Sequence, residues 1–121
     1  MAAIDTLSAM PAVRRIAVAG EMLELGATGE QLHRDCGRYV AEKKIDFLLG
    51  VRGLAKSMVD SARKAGIAAE FVATPEEAGE WLARNARDGD AVLLKASRGV
   101  KLERALETWK QRTLVPDKPN A

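Results

Sequence analysis

Four short apolar runs alternate with segments of helical period along this chain, and this alternation strongly constrains its fold. The runs lie at 16–19, 47–49, 69–73 and 91–94. A short apolar run bounded by glycine or polar residues is typical of a strand buried on both faces. Because a helix must carry the chain back between successive strands, we expect parallel pairing with helices on both faces. The sequence therefore predicts a three-layer α/β/α domain.

The segments between the runs carry helix start and stop signals. Thr74-Pro75-Glu76-Glu77 combines an N-cap, a proline at the first helical position and a glutamate that closes a capping box. The helix that it opens is expected to end at Asp88-Gly89. Thr28 and Gln31 predict a second capping box, on a helix that extends to about Lys44. Further helices are predicted at 2–9, from Leu54 to a cap at Gly66, and along the apolar stripe 102–109.

Size and charge exclude several functional classes. The chain has 121 residues, enough for one domain with a core. Its 19 basic and 17 acidic side chains are interleaved, so a nucleic-acid partner is not indicated. No apolar run approaches the roughly 20 residues that span a bilayer, and no signal peptide is recognisable. We expect a cytoplasmic domain without a membrane partner, an internal disulfide or a metal site.

Two loops lie where an open α/β sheet carries its ligands, at the carboxyl ends of predicted strands. The acidic loop, residues 20–26, follows the first strand and reads GEMLELG. Its glycines, Gly20 and Gly26, bound a turn that carries the carboxylates of Glu21 and Glu24. These carboxylates suit an ammonium group, although two glutamates in a loop are also compatible with plain solvation or capping.

The basic loop, residues 95–99, follows the fourth strand. It brings an ammonium, a hydroxyl and a guanidinium close to the start of a helix, through Lys95, Ser97, Arg98 and Gly99. Such a set suits a carboxylate or a phosphate. If the first and fourth strands are neighbours, the two loops face each other and could hold a zwitterion, its ammonium on the acidic loop and its carboxylate on the basic loop. A solvated loop is the alternative.

Other signatures are absent or have simpler explanations. No Walker loop and no G-x-G-x-x-G follows a strand. His33 stands one turn into the helix after the acidic loop, where it either steadies that loop or reaches a ligand; a lone histidine on a helix commonly makes a structural hydrogen bond. Cys36 is expected to be a small core residue. Trp81 and Trp109 fall on apolar stripes, so we expect core positions and not stacking platforms.

Three stretches resemble a known family. IDTLSAMPAVRRIAVAGEMLELG, LHRDCGRYV and GDAVLLKASRGVKLERALE are similar, in this order, to the C-terminal domain of the UDP-N-acetylmuramoyl-tripeptide:D-alanyl-D-alanine ligases, the MurF-type Mur ligases. The resemblance covers residues 1 to about 110. Matching motif positions are Gly20, Glu21, Met22, Glu24, Leu25 and Gly26, then Lys95, Ser97, Arg98 and Gly99. His33 also matches a family position, whereas Ala96 stands where glycine is common.

The resemblance implies a Rossmann-like domain with strand order 4-1-2-3 that lacks the family's first strands. It implies a ligase domain over 1–112, followed by a tail at 113–121 that we expect to be frayed or loosely docked. The fourth strand would then be an apolar edge, because its usual neighbour is missing. An open edge invites pairing, so we expect a homodimer through 91–94 or another cover of that edge.

The resemblance also implies a function. The family uses ATP and Mg²⁺ to activate a carboxylate as an acyl phosphate, which D-alanyl-D-alanine attacks to extend UDP-MurNAc-tripeptide in peptidoglycan synthesis. Its C-terminal domain helps to hold the dipeptide and closes over the ATPase domain. The printed sequence has no P-loop, so we expect no catalytic residue and no cofactor in this chain, and no ligase or ATPase activity from it alone. A stand-alone, non-catalytic binding module with the same fold is the alternative.

Overall fold

The computed structural model of the chain describes residues 2–22, 28–95 and 101–114. All four predicted strands are present, and β1, β2 and β4 are longer than their apolar runs. The elements, in chain order, are α1 (Ala2–Ala9), β1 (Arg14–Gly20), α2 (Gly29–Glu42), β2 (Phe47–Val51), α3 (Ala55–Lys64), β3 (Ala68–Val72), α4 (Pro75–Asn85), β4 (Asp90–Lys95) and α5 (Glu103–Leu114).

The strands form one parallel sheet in the order β3-β2-β1-β4. This is the predicted order 4-1-2-3 read from the other side, so the prediction is confirmed. β1 pairs on both flanks, with Ile16 beside Phe47 of β2 and beside Val92 of β4. Because the pairing is parallel, all four strands end at the same edge of the sheet, here called the carboxyl edge.

Alternation along the strands divides the core into two layers. Ala17 and Ala19 of β1 face α1, α2 and α3, whereas Ile16 and Val18 face α4 and α5. All four of these side chains are buried. A strand with apolar residues on both faces requires helices on both faces, and the predicted three-layer α/β/α architecture is therefore confirmed.

The two predicted capping boxes have different outcomes. Thr74 is extended, with φ −135° and ψ 155°, and its hydroxyl accepts from the Glu77 N–H while the Glu77 carboxylate accepts from the Thr74 N–H. Thr28 has φ −90° and ψ 1°, and its side chain makes no capping hydrogen bond. Gln31 instead donates to Asp35 one turn further along α2. The capping box at Thr28 was therefore predicted wrongly, because an N-cap side chain accepts from the N–H groups of the first helical turn from an extended backbone, which Thr28 does not have.

Two helix ends differ from the expected ones. α4 ends at Asn85 and not at Asp88-Gly89, because Ala86 is already extended. The Asn85 amide donates to the Trp81 carbonyl oxygen and so satisfies an acceptor of the last turn. α5 continues to Leu114. The rest of the predicted tail, 115–121, lies outside the described residues.

Opposite the carboxyl edge, an ion pair joins β1 to β4 at their first residues. The guanidinium of Arg14 donates to both carboxylate oxygens of Asp90, at 3.2 and 2.7 Å, and to the Asn85 carbonyl oxygen at 2.6 Å. The Asp90 side chain is only 4% exposed and also accepts from the Arg87 N–H. Arg14 and Asp90 are register partners in the sheet. The bidentate pair thus fixes the register of the two strands whose other ends carry the candidate loops.

The pair makes stability depend on pH. The hydrogen bond from Arg14 lowers the pKa of the Asp90 carboxyl, with burial opposing it and the Arg87 N–H assisting. The stabilisation from the Arg14–Asp90 pair is therefore complete above a pH of about 4, the pKa expected for Asp90 in the unfolded chain. It is lost as the pH falls through the lower pKa that Asp90 has in the folded chain. We predict that Asp90→Asn lowers the free energy of unfolding by about 2 kcal/mol at pH 7.

Urea unfolding at pH 7 and below pH 4 measures this effect. The difference between wild type and Asp90→Asn should shrink as the pH falls, because the wild-type carboxyl is then protonated too. Asp60→Asn, which changes an exposed carboxylate on α3, is the matched control and should change stability by less than about 0.5 kcal/mol. A constant difference between wild type and Asp90→Asn at all pH values would contradict the proposed role of the ion pair.

Candidate functional site

The ends of β1 and β4 lie side by side at the carboxyl edge. Ala19, the next-to-last residue of β1, is the register partner of Lys95, the last residue of β4. The acidic and basic loops therefore start from adjacent strand ends, as predicted. Several predicted site residues lie outside the described residues, and their places in the site stay predictions: Glu24, Gly26, Ser97, Arg98 and Gly99.

Lys95 is exposed and lies on the α2 side of the sheet. Its register partner Ala19 belongs to the core layer of α1, α2 and α3, and register partners share a face. The charge of Lys95 acts on Cys36 of α2, whose pKa is raised to about 11 by burial while the Lys95 ammonium works in the opposite direction. Cys36 is only 6% exposed, which confirms the prediction of a core thiol. Lys95, the first residue of the basic loop, thus lies on the face of the sheet that α2 covers.

Glu21 joins the acidic loop to the turn after β2. Its N–H donates to the Val51 carbonyl oxygen, which extends the β1–β2 ladder beyond Gly20. Its carboxylate accepts from the Leu54 N–H at 3.0 Å and lies 3.8 Å from Nε of Arg52. The Glu21 side chain is 14% exposed. The Glu21 carboxylate is therefore hydrogen-bonded within the protein, at the N-terminus of α3, where negative charge is stabilising.

The turn that receives Glu21 has an unusual backbone. Arg52 and Gly53 both have positive φ, of 75° and 53°. A Cβ on residue 53 would lie 2.2 Å from Oε2 of Glu21 and would displace the carboxylate, and φ 53° also favours glycine at this position. From the sequence, neither Arg52 nor Gly53 was identified as a site residue. The only sequence signal was a charged residue before a glycine at a strand end.

His33 is fully buried and supports the start of the acidic loop. Its Nε2 accepts from the Met22 N–H at 2.9 Å, and its Nδ1 lies 2.6 Å from the Gly29 carbonyl oxygen. Because Nε2 accepts, the ring proton is on Nδ1 and is donated to Gly29. Both ring nitrogens are thus used within the chain, as expected of a histidine that steadies the loop. Contact between His33 and a ligand stays a prediction.

Both tryptophans lie in the core layer of α4 and α5. Trp81 is 6% exposed and stacks on Phe47, with ring centroids 4.6 Å apart. Trp109 is partly buried and packs against the same layer. The prediction of core positions is confirmed. In the part of the chain that the structure describes, no three His, Cys, Asp or Glu side chains form a group that could hold a metal ion, and no helix is sufficiently long and apolar to cross a membrane.

A groove of about 420 Å³ runs between α2 and α3 on their outer surface. The two helices approach closely beneath the groove, because Gly37 has no side chain. A Cβ at this position would lie 2.2 Å from the Met58 carbonyl oxygen. Arg34 of this groove is paired with Glu30, and Arg38 with Asp35, which lies just outside it. These ion pairs leave the charges of the groove largely balanced. The carboxyl edge is therefore the better candidate site. The groove is lined by Glu30, Arg34, Arg38, Ser57, Asp60, Ser61, Lys64 and Ala65.

The described part of the carboxyl edge is a row of alternating charge. Lys95 ends β4, Glu21 follows β1 and Arg52 follows β2. Anionic groups are attracted to the two cations, and a cationic group to the carboxylate between them. Such a row suits a small molecule that carries an anion, with or without an ammonium group.

Comparison with known proteins identifies the family. Residues 1–98 match the family described as "Mur ligase, glutamate ligase domain". The chain belongs to this Mur ligase family. The resemblance of its sequence to the Mur ligases is therefore confirmed.

Curated relatives of this Mur ligase domain are named UDP-N-acetylmuramoyl-tripeptide--D-alanyl-D-alanine ligase. The protein from Bacillus subtilis strain 168 is 36% identical over 93 residues, which cover 74% of this chain and 20% of the relative. The protein from Rickettsia prowazekii strain Madrid E is 28% identical over 108 residues, covering 89% of this chain and 24% of the relative. The matched part of the chain thus spans about a fifth to a quarter of the length of these relatives.

Solved structures share the fold. MurF from Acinetobacter baumannii matches with a TM-score of 0.79 and 24% identity, over 90% of this chain and 25% of that one. MurF ligase from Thermotoga maritima, solved in complex with ADP, matches with a TM-score of 0.67 and 26% identity, over 91% of this chain and 24% of that one. The described domain therefore has the fold of part of the MurF ligases.

Proposed function

We propose that this chain is the dipeptide-side domain of an ATP-dependent peptidoglycan-precursor ligase. The whole enzyme would join D-alanyl-D-alanine to UDP-MurNAc-tripeptide through an acyl phosphate, as the names of the relatives suggest for their own substrates. The observation that carries the proposal is the adjacency of Ala19 and Lys95 at the carboxyl edge. This adjacency brings the starts of the two family motifs together, at the place where open α/β sheets bind ligands.

Different domains of the enzyme would bind the different substrates. The dipeptide-side domain was expected over residues 1–112 with a tail at 113–121, and α5 extends the domain to Leu114. ATP and Mg²⁺ bind to other parts of the enzyme, in the cytoplasm, and this domain closes over them with the dipeptide in place. The chain alone is then inactive as a ligase, because the printed sequence has no P-loop for the ATP that activates the carboxylate.

Within the domain, the two loops bind opposite ends of the dipeptide. The carboxylate lies against Lys95, Ser97 and Arg98, with Gly99 allowing close approach of the backbone. The ammonium lies against the acidic loop. Its partner there is Glu21 or Glu24, and the Glu21 carboxylate already accepts a hydrogen bond from the Leu54 N–H. Gly20, Gly26 and His33 hold the acidic loop in shape.

Calorimetric titration of the chain with D-alanyl-D-alanine tests the proposal. We expect binding with a Kd of roughly millimolar, because the other domains contribute part of the site in the whole enzyme. Lys95→Ala and Arg98→Ala should each weaken binding about tenfold, since each removes a charge-assisted hydrogen bond. Ser97→Ala should have a smaller effect in the same direction.

Lys64→Ala is the matched control for these variants. Lys64 ends α3 and is therefore at the other end of the helix from the carboxyl edge, so its removal changes the net charge by the same amount without touching the site. Absence of binding at about ten times the expected Kd, or equal weakening by Lys64→Ala, would contradict the proposed function.

We also propose that β4 pairs with a second copy of the chain. Within the described residues β4 is an edge strand, and its residues Val92, Leu93 and Leu94 are only partly buried. An apolar edge with unpaired backbone groups favours strand pairing. Sedimentation equilibrium should give twice the monomer mass at high micromolar concentration. A monomer mass throughout that range would contradict the dimer.

A further inference from the structure

Leu32 is an exposed apolar side chain at the start of α2. It lies in the first turn of the helix and is 42% exposed. The next residue, His33, holds this turn at the carboxyl edge, because its Nε2 accepts from the N–H of Met22, which follows β1. Leu32 therefore lies at the edge of the sheet that carries the candidate site.

The face of α2 that carries Leu32 is turned toward β4. Residues four and seven positions further along a helix share its face, and here these are Cys36 and Tyr39. Cys36 is buried in the core, and the Tyr39 hydroxyl donates to Asp5 of α1, the helix that packs against β4. The opposite face of α2 lines the groove beside α3, through Arg34. Leu32 is thus on the side of α2 that lies away from α3.

Lys95, at the end of β4, lies close to this face of α2. The Lys95 ammonium acts electrostatically on the Cys36 thiol, and Ala19, the register partner of Lys95, belongs to the same core layer as Cys36. Because a crossover helix runs antiparallel to the strands it connects, Leu32 lies one helical turn further toward the carboxyl edge than Cys36. An exposed leucine and an exposed ammonium therefore lie close together on the α2 side of that edge.

This combination suits a ligand that has an apolar group next to its anion. An ammonium binds a carboxylate, and a leucine side chain is stabilised when it covers apolar surface. In an alanine residue with a free carboxylate, the methyl group is bonded to the carbon that carries the carboxylate. A carboxylate bound by Lys95 therefore brings the methyl group close to Leu32, whereas a glycine residue has no methyl group to bury there.

We propose that Leu32 is a specificity-determining residue, which contacts the apolar group next to the carboxylate that Lys95 binds. The ligand class is a small carboxylate with a methyl or similarly short apolar group on the adjacent carbon. If the proposed function holds, on which this identification rests, the group is the methyl of the C-terminal residue of D-alanyl-D-alanine. Leu32 then selects alanine over glycine at that residue.

Titration of the labelled chain with two dipeptides, followed by NMR, measures this selection. D-alanylglycine lacks only the C-terminal methyl group, so wild type should bind D-alanyl-D-alanine about threefold to fourfold more tightly. Leu32→Ala should reduce this ratio of affinities to about one, with little change in the affinity for D-alanylglycine. Leu32→Met keeps an apolar side chain and should keep the preference for alanine.

Leu54→Ala is the matched control. Leu54 is 38% exposed and precedes α3, but it follows β2, which is separated from β4 by β1. Its removal should leave the ratio of affinities at the wild-type value. The urea midpoint of Leu32→Ala should stay close to that of wild type, because the position is exposed and alanine favours a helix. The loss of selection in Leu32→Ala is then a property of the folded chain.

A second pair of ligands distinguishes this proposal from the proposed function. N-acetyl-D-alanine and N-acetylglycine have a carboxylate with and without the adjacent methyl group, and neither has an ammonium. If wild type binds neither dipeptide but prefers N-acetyl-D-alanine in a Leu32-dependent way, the role of Leu32 holds and the proposed function fails. If D-alanyl-D-alanine binds, and its preference over D-alanylglycine is the same in wild type and Leu32→Ala, the role of Leu32 fails alone.

Two other results would overturn the role of Leu32. One is a loss of the preference for alanine in Leu54→Ala that equals the loss in Leu32→Ala, because the methyl group would then not be read on the α2 side of the carboxyl edge. The other is a wild-type chain that binds none of the four ligands, because Lys95 would then hold no carboxylate.

Discussion

The burial of β1 between two parallel neighbours is the constraint on which the rest of the structure depends. Its residues 16–19 are at most 6% exposed and pair with β2 on one flank and β4 on the other. Because the strand is apolar on both faces, it requires a helical layer on each side. Because its pairing is parallel, it brings the loops after β1, β2 and β4 to one edge. The fold and the candidate site therefore have the same cause.

The charged side chains at the starts of the strands are paired differently from those at the carboxyl edge. At the starts of β1 and β4, Arg14 and Asp90 form a largely buried bidentate pair. The pair neutralises both charges and sets the register between the two strands. At the carboxyl edge the charges are exposed or shared over longer distances, as in the 3.8 Å pair of Glu21 and Arg52. The buried pair stabilises the fold, whereas an exposed charge such as that of Lys95 is accessible to a ligand. The carboxyl edge is the side of the sheet that remains available for recognition.

Sequence reasoning predicted most of the fold and a smaller part of the site. The apolar runs predicted four strands, but only the family resemblance gave their order, since spacing does not specify which strands are neighbours. The capping box at Thr74 was right and the one at Thr28 was wrong, because the motif records residue types and not whether the backbone is extended. Arg52 was missed for the same reason: its positive φ is a backbone property that no periodic pattern reveals.

We propose that ligand recognition takes place at the carboxyl edge. ¹H–¹⁵N NMR spectra of the labelled chain, recorded during titration with D-alanyl-D-alanine, test this statement most directly because they report where binding occurs. We predict that the largest shift changes among the described residues fall on the ends of β1, β2 and β4, at Glu21, Arg52 and Lys95. Changes confined to the groove between α2 and α3, or to the opposite edge around Arg14, would contradict it.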